Sequence, residues 1–251
     1  MDPAEKTYYN SFLIVLIVVS VVLLYFIITI IRYHRRSLRL SKERIQAEID
    51  TLENERRRIA SDLHDELGPL LSAVKLQINN LETTDPEDVG LIEKSSQHID
   101  SIIKKLREIS NDLMPNTLLR KGLKTAIEEF IDSSQLAYKL PVKFICDQHL
   151  ELDQNKEINL YRMVQEILHN TIKHAKASML IIKISVQDNR LFLMTADNGT
   201  GFDYSSKIRD NMGLGLRNLQ SRTEVMGGEI ACISEPGKGT TYTIEIPLQS
   251  A

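Results

Sequence analysis

The sequence predicts a membrane-anchored α plus α/β protein: one transmembrane helix, then a helical hairpin that dimerises into a four-helix bundle, then an α/β sandwich. Three observations predict this order. Residues 12–31 form an uncharged apolar run, apolar residues recur at helical spacing over residues 45–113, and helix-like and strand-like segments alternate after residue 120. The chain has 251 residues, of which 42% are hydrophobic and 26% are charged, and this composition excludes a collagen-like or wholly disordered protein.

The composition also argues against two kinds of site. A net charge of −3, the absence of tryptophan and an aromatic content of 6% disfavour direct nucleic-acid binding. The two cysteines, Cys146 and Cys232, are far apart in the chain and lack the spacing of a zinc site. We therefore expect them to be small hydrophobic residues of the core, rather than disulfide partners or metal ligands.

The apolar run is predicted to be an uncleaved transmembrane helix. Residues 12–31 would span about 30 Å, the thickness of the hydrocarbon layer, and the leading residues MDPAEKTYYN lack the basic region of a signal peptide. Because basic residues cluster after the run, the positive-inside rule leaves residues 1–11 as a short extracytoplasmic N-terminus and the C-terminal domains in the cytoplasm. Membrane lipid would surround residues 12–31. The basic residues after the run are Arg32, Arg35, Arg36, Arg39 and Lys42.

Residues 42–115 are predicted to form the helical hairpin, entered through a juxtamembrane coiled-coil linker at residues 32–58. Apolar residues recur in steps of three and four, and the TDPED sequence at 84–88 predicts a turn between two helices. A monomeric hairpin is the alternative, and the coiled-coil lead-in favours a dimer. The predicted inward positions are Ile45, Ile49, Leu52, Ile59, Leu63, Leu67, Leu70, Val74, Ile78 and Leu81 on the first helix, and Ile92, Ile99, Ile103, Leu106, Ile109 and Leu113 on the second.

One histidine of the first helix is predicted to face solvent, because His64 directly follows an apolar position. It is flanked by Asp62, Asp65 and Glu66. An exposed histidine beside carboxylates is by itself more often part of a solvated helix face than a functional group. Pro69 lies inside the same periodic pattern and predicts a kink, because proline removes a backbone donor.

After residue 120 the pattern changes to that of an α/β sandwich, with one sheet covered by helices on one side. The last strand alternates cleanly, with Tyr242, Ile244 and Ile246 on one face. Helices are predicted at residues 123–137, 154–176 and 214–226, and strands at residues 142–146, 180–186, 191–196, 229–233 and 241–246.

Three segments of this domain carry groups suited to chemistry. Glu166 and Asn170 lie one helical turn apart, and carboxylate and amide oxygens are the ligands that Mg²⁺ takes. The sequence DNGTG at 197–201 follows a strand, so that its aspartate can accept from an exocyclic amine while the glycines admit a ring. The sequence GLGL at 213–216 opens a helix, whose free amides favour phosphate. Each segment alone is a weak signal, but their order along the chain is specific.

With these segments the chain resembles the sensor histidine kinases of two-component systems, in the subfamily of the nitrate sensors and the membrane-thickness thermosensor. Residues 58–68, RIASDLHDELG, resemble the H-box, and residues 165–175, QEILHNTIKHA, resemble the N box. The two glycine segments resemble the glycine boxes, and residues 113–115 with residues 122–123 resemble the junction between the two domains. The resemblance covers residues 42–249.

The resemblance implies a protein histidine kinase with a Bergerat-type ATP-binding domain at residues 120–249, using ATP and Mg²⁺. His64 would be the phosphoryl acceptor, assisted by Asp65, and Glu166 would position water or metal beside Asn170, the metal ligand. The segment between Gly201 and Gly213 would be a short mobile lid over ATP. The residues implied in nucleotide binding are Asn170, Lys173, His174, Asp197, Gly199, Gly201, Gly213, Leu214, Gly215, Leu216, Thr240 and Thr241.

The resemblance also implies partners and a location. The protein would be a homodimer that passes the phosphoryl group to an aspartate of a response regulator of helix-turn-helix type, and it would lie in the bacterial cytoplasmic membrane with a single span. Two other classes remain open: a non-catalytic membrane scaffold with a decayed ATPase fold, and a related ATPase or serine kinase. The intact glycine segments disfavour the first, and the hairpin that carries His64 disfavours the second.

The sequence departs from the family at Pro69. Relatives in this subfamily often carry a glutamine there, four residues after the acidic neighbour of the histidine, whose amide positions water for dephosphorylation of the regulator. Proline has no side-chain donor or acceptor, so it cannot orient a water molecule. We therefore expect a kinase with weak or no phosphatase activity. The alternative is that Pro69 sets only the helix geometry and another residue positions the water.

Overall fold

The computed structural model describes residues 3–114, 116–147, 150, 152–204 and 213–248, with side chains from residue 16 onward apart from that of Asn116. It divides into two units, residues 1–48 and residues 49–251. Helix α1 begins at Pro3 and ends at Asp62. In the first unit its apolar side chains are exposed from Leu16 to Ile31. By length and composition, this is one helix near the N-terminus that is long and apolar enough to cross a membrane.

The second unit begins with the hairpin, which we define as residues 49–113. After α1 the chain makes a wider, π-type turn over Leu63–Leu67, continues as α2 over Gly68–Asn79, and returns as α3 over Pro86–Leu113. The wide turn lies directly before Pro69, whose ring would clash with the carbonyl of an ordinary helical turn. In place of the kink predicted at this proline, the structure has a wide turn, and the backbone stays helical from Asp62 to Gly68.

The two arms of the hairpin pack together, but much of their apolar surface remains uncovered. Ile99 and Leu106 of α3 are buried, and the hydroxyl of Ser110 donates to the carbonyl of Ala60 at 3.1 Å. Several predicted inward side chains are instead exposed in the single chain. These are Leu52, Leu67, Leu70, Val74, Leu81 and Ile109.

In the helical turn of α1 that contains Leu52, the buried side chain is a charged one, that of Glu53. Leu52 is 51% exposed, whereas its neighbour Glu53 is 9% exposed. In the single chain Leu52 therefore faces outward, as do the other exposed apolar side chains of the hairpin. Glu53 is buried because it has two arginine partners elsewhere in this unit.

The sheet domain, which we define as residues 116–248, follows the hairpin. Its strands and main helices begin and end within one or two residues of the predicted bounds, if α6 is counted together with a second π-type turn, Thr171–Ala175, that continues it. A short helix, α4, was not predicted. The elements are α4 at Asn116–Lys121, α5 at Leu123–Tyr138, β1 at Val142–Cys146, α6 at Gln154–Asn170, β2 at Leu180–Gln187, β3 at Arg190–Asp197, α7 at Leu214–Val225, β4 at Glu229–Ser234 and β5 at Thr240–Pro247.

The five strands form one mixed sheet in the order β1-β2-β3-β5-β4. β1 pairs with β2 in parallel, and the remaining neighbours are antiparallel. In this register Asp197 lies opposite Leu180 on one side and Thr240 on the other. The last residue of β3 and the first residue of β5 therefore meet at one edge of the sheet.

One face of the sheet packs on the helices and forms the core. Alternate residues of β2 and β5 are buried, for example Ile182 and Ile244, while Ile181 and Lys183 face outward. Cys146 and Cys232 are free and half-buried, and burial raises the pKa of each thiol to about 11. Both thiols are thus protonated at neutral pH, as suits hydrophobic packing.

Candidate functional site

The first part of the site is a polar pair on one side of helix α6. Asp153 caps the N-terminus of this helix, and its carboxylate accepts from the backbone amide of Lys156 at 2.9 Å. The apolar side of the helix is buried in the core of the domain. Glu166 and Asn170 lie at the margin of that buried side and are half-buried. The amide nitrogen of Asn170 donates to Oε1 of Glu166 at 3.0 Å. Because the nitrogen faces the carboxylate, the oxygen of Asn170 is the atom turned away from this contact.

The start of helix α7 lies directly against this pair. A β-carbon added to Gly215 would overlap Oε1 of Glu166 and crowd the amide nitrogen of Asn170. Only glycine permits this approach. Since the first amides of a helix have no intrahelical acceptor and lie at its positive end, the start of α7 presents phosphate-binding groups beside Glu166 and Asn170.

The second part of the site is Asp197 at the end of β3. Oδ1 of Asp197 accepts from the amide of Gly199 at 2.8 Å. Burial raises the pKa of this carboxyl above its ordinary value, and hydrogen bonds from the amides of Gly199 and Thr240 partly oppose that rise. The next side chain, Asn198, fixes the loop by accepting from the amides of Ser178 and Met179 at 2.9 and 3.0 Å.

Two glycines with positive φ let three chain segments meet around Asp197. Gly201 has a φ of +57°, and an added β-carbon would overlap the carbonyl of Glu235. Gly239 has a φ of +78°, and an added β-carbon would overlap the carbonyl of Asp197. These close approaches hold the turn before β5 directly against the aspartate loop.

A cleft of about 360 Å³ lies between α6, the aspartate loop and the start of α7. Nine of the predicted nucleotide residues line it: Asn170, His174, Asp197, Gly201, Gly213, Leu214, Gly215, Leu216 and Thr240.

The other predicted residues lie elsewhere. Glu166 supports the cleft through Asn170 and Gly215. Gly199 is buried against Ala175, where a β-carbon would overlap the carbonyl of Ala175. Lys173 is exposed and Thr241 lies on the opposite face of β5 from the buried Thr240, and neither lines the cleft.

The cleft also contains residues that the sequence reasoning missed. Each of them is a chain neighbour of a predicted residue or alternates with one on a strand, and that proximity was the available signal. Tyr242 is the clearest case, because it was predicted only as an inward core residue of the last strand. The missed residues are Thr171, Ala175, Thr200, Phe202 and Tyr242.

The residues present fit a nucleotide with a magnesium ion. Asp197 supplies a half-buried acceptor for an amine, the glycines leave room for a ring, and the start of α7 supplies amides for phosphates. The oxygen of Asn170 and the carboxylate of Glu166 form a hard-oxygen donor set beside those amides, which suits Mg²⁺.

His64 and Asp65 lie on the hairpin and are both exposed. Oδ2 of Asp65 accepts from the hydroxyl of Ser61 at 2.9 Å. The residues that line the cleft, within the part of the chain that is described, all belong to the sheet domain. The lid expected between Gly201 and Gly213 falls mainly on residues 205–212, which lie outside the described residues, as does Pro115 of the expected domain junction.

Comparison with family models matches both domains. Residues 155–250 match the model described as histidine kinase-, DNA gyrase B-, and HSP90-like ATPase. Residues 55–118 match the model described as histidine kinase, of the HisKA_3 type.

Curated relatives extend over most of the chain. Sensor histidine kinase MctS of Rhizobium johnstonii is 32% identical over 242 residues, which cover 91% of this chain and 51% of that protein. Sensor histidine kinase LiaS of Bacillus subtilis is 29% identical over 219 residues, which cover 84% of this chain and 60% of that protein. The chain therefore spans only about half to three fifths of the length of these relatives.

Among solved structures, the histidine kinase domain of the blue-light activated histidine kinase EL346 of Erythrobacter litoralis is similar. It has a TM-score of 0.50 and an identity of 15%, and the match covers 78% of this chain and 94% of that domain. At this identity the likeness concerns the fold: a helical region followed by an α/β sheet domain.

Proposed function

We propose that the chain is a HisKA_3-type sensor histidine kinase that transfers the γ-phosphoryl group of ATP to His64. The matches of residues 55–118 and 155–250 to the two family models, and the likeness to two sensor histidine kinases, support this proposal. The observation that carries this proposal is the meeting of Asn170, Glu166 and Gly215 at the start of α7, in a chain that also presents an exposed histidine on a helical hairpin. The first feature suits a bound polyphosphate, and the second suits an acceptor that another domain must reach.

In this reaction a nitrogen of the His64 imidazole forms a bond to the γ-phosphorus, the bond from that phosphorus to the bridging oxygen breaks, and ADP leaves. The neutral form of an imidazole has a free electron pair on one ring nitrogen, and this form of His64 would make the attack. Asp65 would accept a hydrogen bond from the other ring nitrogen of His64, the one that carries the proton, once its carboxylate turns from Ser61 toward His64. This contact would fix the tautomer and stabilise the positive charge that forms on the ring.

The sheet domain supplies positioning and charge neutralisation. When bound, Mg²⁺ would neutralise charge on the phosphates. Asn170 would provide an oxygen ligand, and Glu166 would orient Asn170 and hold water or metal. Asp197 would accept from the exocyclic amine of adenine, and the amides at Gly213 and Gly215 would bind phosphate oxygens.

We further propose a homodimer and a response-regulator partner. Of the exposed apolar side chains of the hairpin, Leu67, Leu70, Val74 and Leu81 recur at helical spacing and form an apolar stripe, which a second hairpin would cover in a four-helix bundle. The phosphoryl group on His64 would pass to an aspartate of a separate regulator, of helix-turn-helix type. The apolar part of α1 would anchor the protein in the cytoplasmic membrane, with lipid around residues 12–31 and the hairpin and sheet domain in the cytoplasm.

The test is incubation of the full chain with ATP labelled in the γ-phosphate, followed by acid and alkali treatment of the bound label. The expected label is acid-labile and alkali-stable, and it is lost in His64→Gln. His98→Gln is the matched control, because His98 is also an exposed hairpin histidine, and it keeps the label. Acid-stable label points to a serine kinase, and no label in the wild-type chain points to a non-catalytic scaffold.

A further inference from the structure

Near the end of α1 a carboxylate, Glu53, is buried between two arginines of the sheet domain. The exposed fractions of Glu53, Arg162 and Arg222 are 9%, 5% and 8%. Nε and Nη2 of the Arg162 guanidinium donate to the carboxylate oxygens of Glu53 at 2.8–3.1 Å. Arg222 donates to Oε1 of Glu53 at 2.6 Å and to Oδ1 of Asn159 at 2.8 Å. A single carboxylate on the hairpin thus holds two helices of the sheet domain, α6 and α7.

Arg162 also binds the end of the other hairpin arm. It donates to the carbonyls of Asp112 at 3.0 Å and Leu113 at 2.5 Å, which are at the C-terminal end of α3. The last carbonyls of a helix have no intrahelical donor and carry partial negative charge, so a guanidinium stabilises them. Through Glu53 and these carbonyls, Arg162 joins α1, α3 and α6.

In the arrangement with Glu53 bound to both arginines, His64 does not line the nucleotide cleft. His64 follows Glu53 by 11 residues, which is about 16 Å along a helix. His64 is exposed, and the described residues that line the cleft include none from the hairpin. Phosphoryl transfer requires reacting atoms at about 3–3.5 Å. The arrangement with Glu53 bound is therefore not the one in which this chain's His64 is phosphorylated.

We propose that Glu53, Arg162 and Arg222 form a latch that keeps the sheet domain in a resting position and must open before His64 is phosphorylated. The inference rests on the proposed function of His64. The latch opens as a unit, because loss of the single carboxylate would leave both arginines buried next to each other without a counter-charge. A third arginine, Arg56, also lies nearby, at 3.7 Å from Glu53. Since Glu53 lies on α1, rotation of that helix about its axis moves the carboxylate away from both arginines.

The test compares the full-length chain in lipid nanodiscs with its Glu53→Gln variant, which keeps the shape of the side chain and removes its charge. We expect the initial rate of His64 phosphorylation to rise about fivefold or more, with no change in the affinity for a fluorescent ATP analogue. Amide hydrogen exchange should become faster at the end of α3. Glu55→Gln is the matched control, because Glu55 is exposed on the same helix and pairs only locally with Arg58, and we expect it to behave as wild type.

An unchanged or lower phosphorylation rate in Glu53→Gln, with normal nucleotide affinity, overturns the latch. A lower rate would mean that the closed arrangement is the productive one for a histidine of a second chain. If Glu53→Gln loses nucleotide affinity through misfolding, Arg162→Lys replaces it, because lysine keeps the charge but cannot donate to both Glu53 and the α3 carbonyls. If wild-type His64 takes no label, the proposed function fails, and the exchange at the end of α3 alone decides whether Glu53 holds the domains together.

Discussion

The carboxylate of Glu166 occupies the space that a β-carbon on Gly215 would fill. The start of α7 and the polar side of α6 are therefore in direct contact, although the two residues come from different segments of the chain. This contact also gives a direct test of the phosphate-binding part of the cleft.

Gly215→Ala should displace Glu166 and weaken its hydrogen bond with Asn170. We expect nucleotide affinity to fall about tenfold or more, which is about 1.4 kcal/mol, with little change in thermal stability because Glu166 can turn toward solvent. Titration with a fluorescent ATP analogue measures this. Gly90→Ala is the control, since a β-carbon there meets open space, and equal losses in both variants would contradict the prediction.

Asn170→Ala should reduce Mg²⁺-dependent autophosphorylation by about a hundredfold or more, while the hairpin and sheet remain folded. The reason is that Asn170 lies at the polar margin of α6 rather than among its fully buried side chains. Circular dichroism and the labelling assay report the two properties separately. Asn155→Ala, on the exposed start of the same helix, should keep its activity. Normal activity in Asn170→Ala would remove this residue from the site.

The fragment that begins at about residue 42 should be a dimer through the exposed apolar stripe of the hairpin. Leu70→Lys places a charge in that stripe and should give a monomer at micromolar concentration, as measured by sedimentation. Leu76 is also exposed but lies outside the stripe, so Leu76→Lys should remain dimeric. A wild-type fragment that sediments only as a monomer would disprove dimerisation by the hairpin.

The native chain should accelerate decay of the phosphorylated regulator weakly or not at all, because Pro69 offers no group to orient water. Decay of purified phospho-regulator, with and without the ADP-bound protein, measures this. Pro69→Gln should gain acceleration of about tenfold or more. Strong acceleration by the native chain would show that a different residue positions the water.

The latch should contribute stability that depends on pH. Burial raises the pKa of Glu53, but hydrogen bonds and charges from Arg162 and Arg222 outweigh burial and bring it below the ordinary value of 4.5. A lowered pKa means that this stability is fully present above pH 4.5 and is lost as the pH falls through the lower folded value.

Thermal unfolding from pH 7 to pH 3 should therefore show a larger loss of stability in the wild-type chain than in Glu53→Gln. The Glu53→Gln variant serves as the reference, since Asp112 and other carboxyls titrate in both proteins. Parallel loss in the two proteins would mean that Glu53 carries no pH-dependent stabilisation.

The elements of the sheet domain could be predicted because their signals are local. The inward side chains of β5 alternate, and those of α6 recur at helical spacing, so both elements were found with nearly correct bounds. The cleft could be predicted in outline because its glycines and polar residues follow element ends. Tyr242 was missed as a cleft residue because a buried strand tyrosine has the same pattern whether it lines a cavity or the core.

Glu53 was missed for a different reason. A glutamate one step from an apolar position reads as a solvated side chain, and its partners Arg162 and Arg222 lie 109 and 169 residues away in the chain. Long-range ion pairs leave no periodic signal. The exposed apolar residues of the hairpin were expected to be inward, and the single chain cannot bury them because their cover would come from a second chain.

The wide turn at Leu63–Leu67 has a consequence for chain register. A π-type turn holds one more residue than an ordinary helical turn, so it acts as a one-residue insertion in the helical repeat. If the same residues formed only ordinary helical turns, everything after them would be rotated by about 100° about the helix axis relative to α1. The few residues around His64 that form the wide turn therefore determine which side of α2 faces a neighbouring helix.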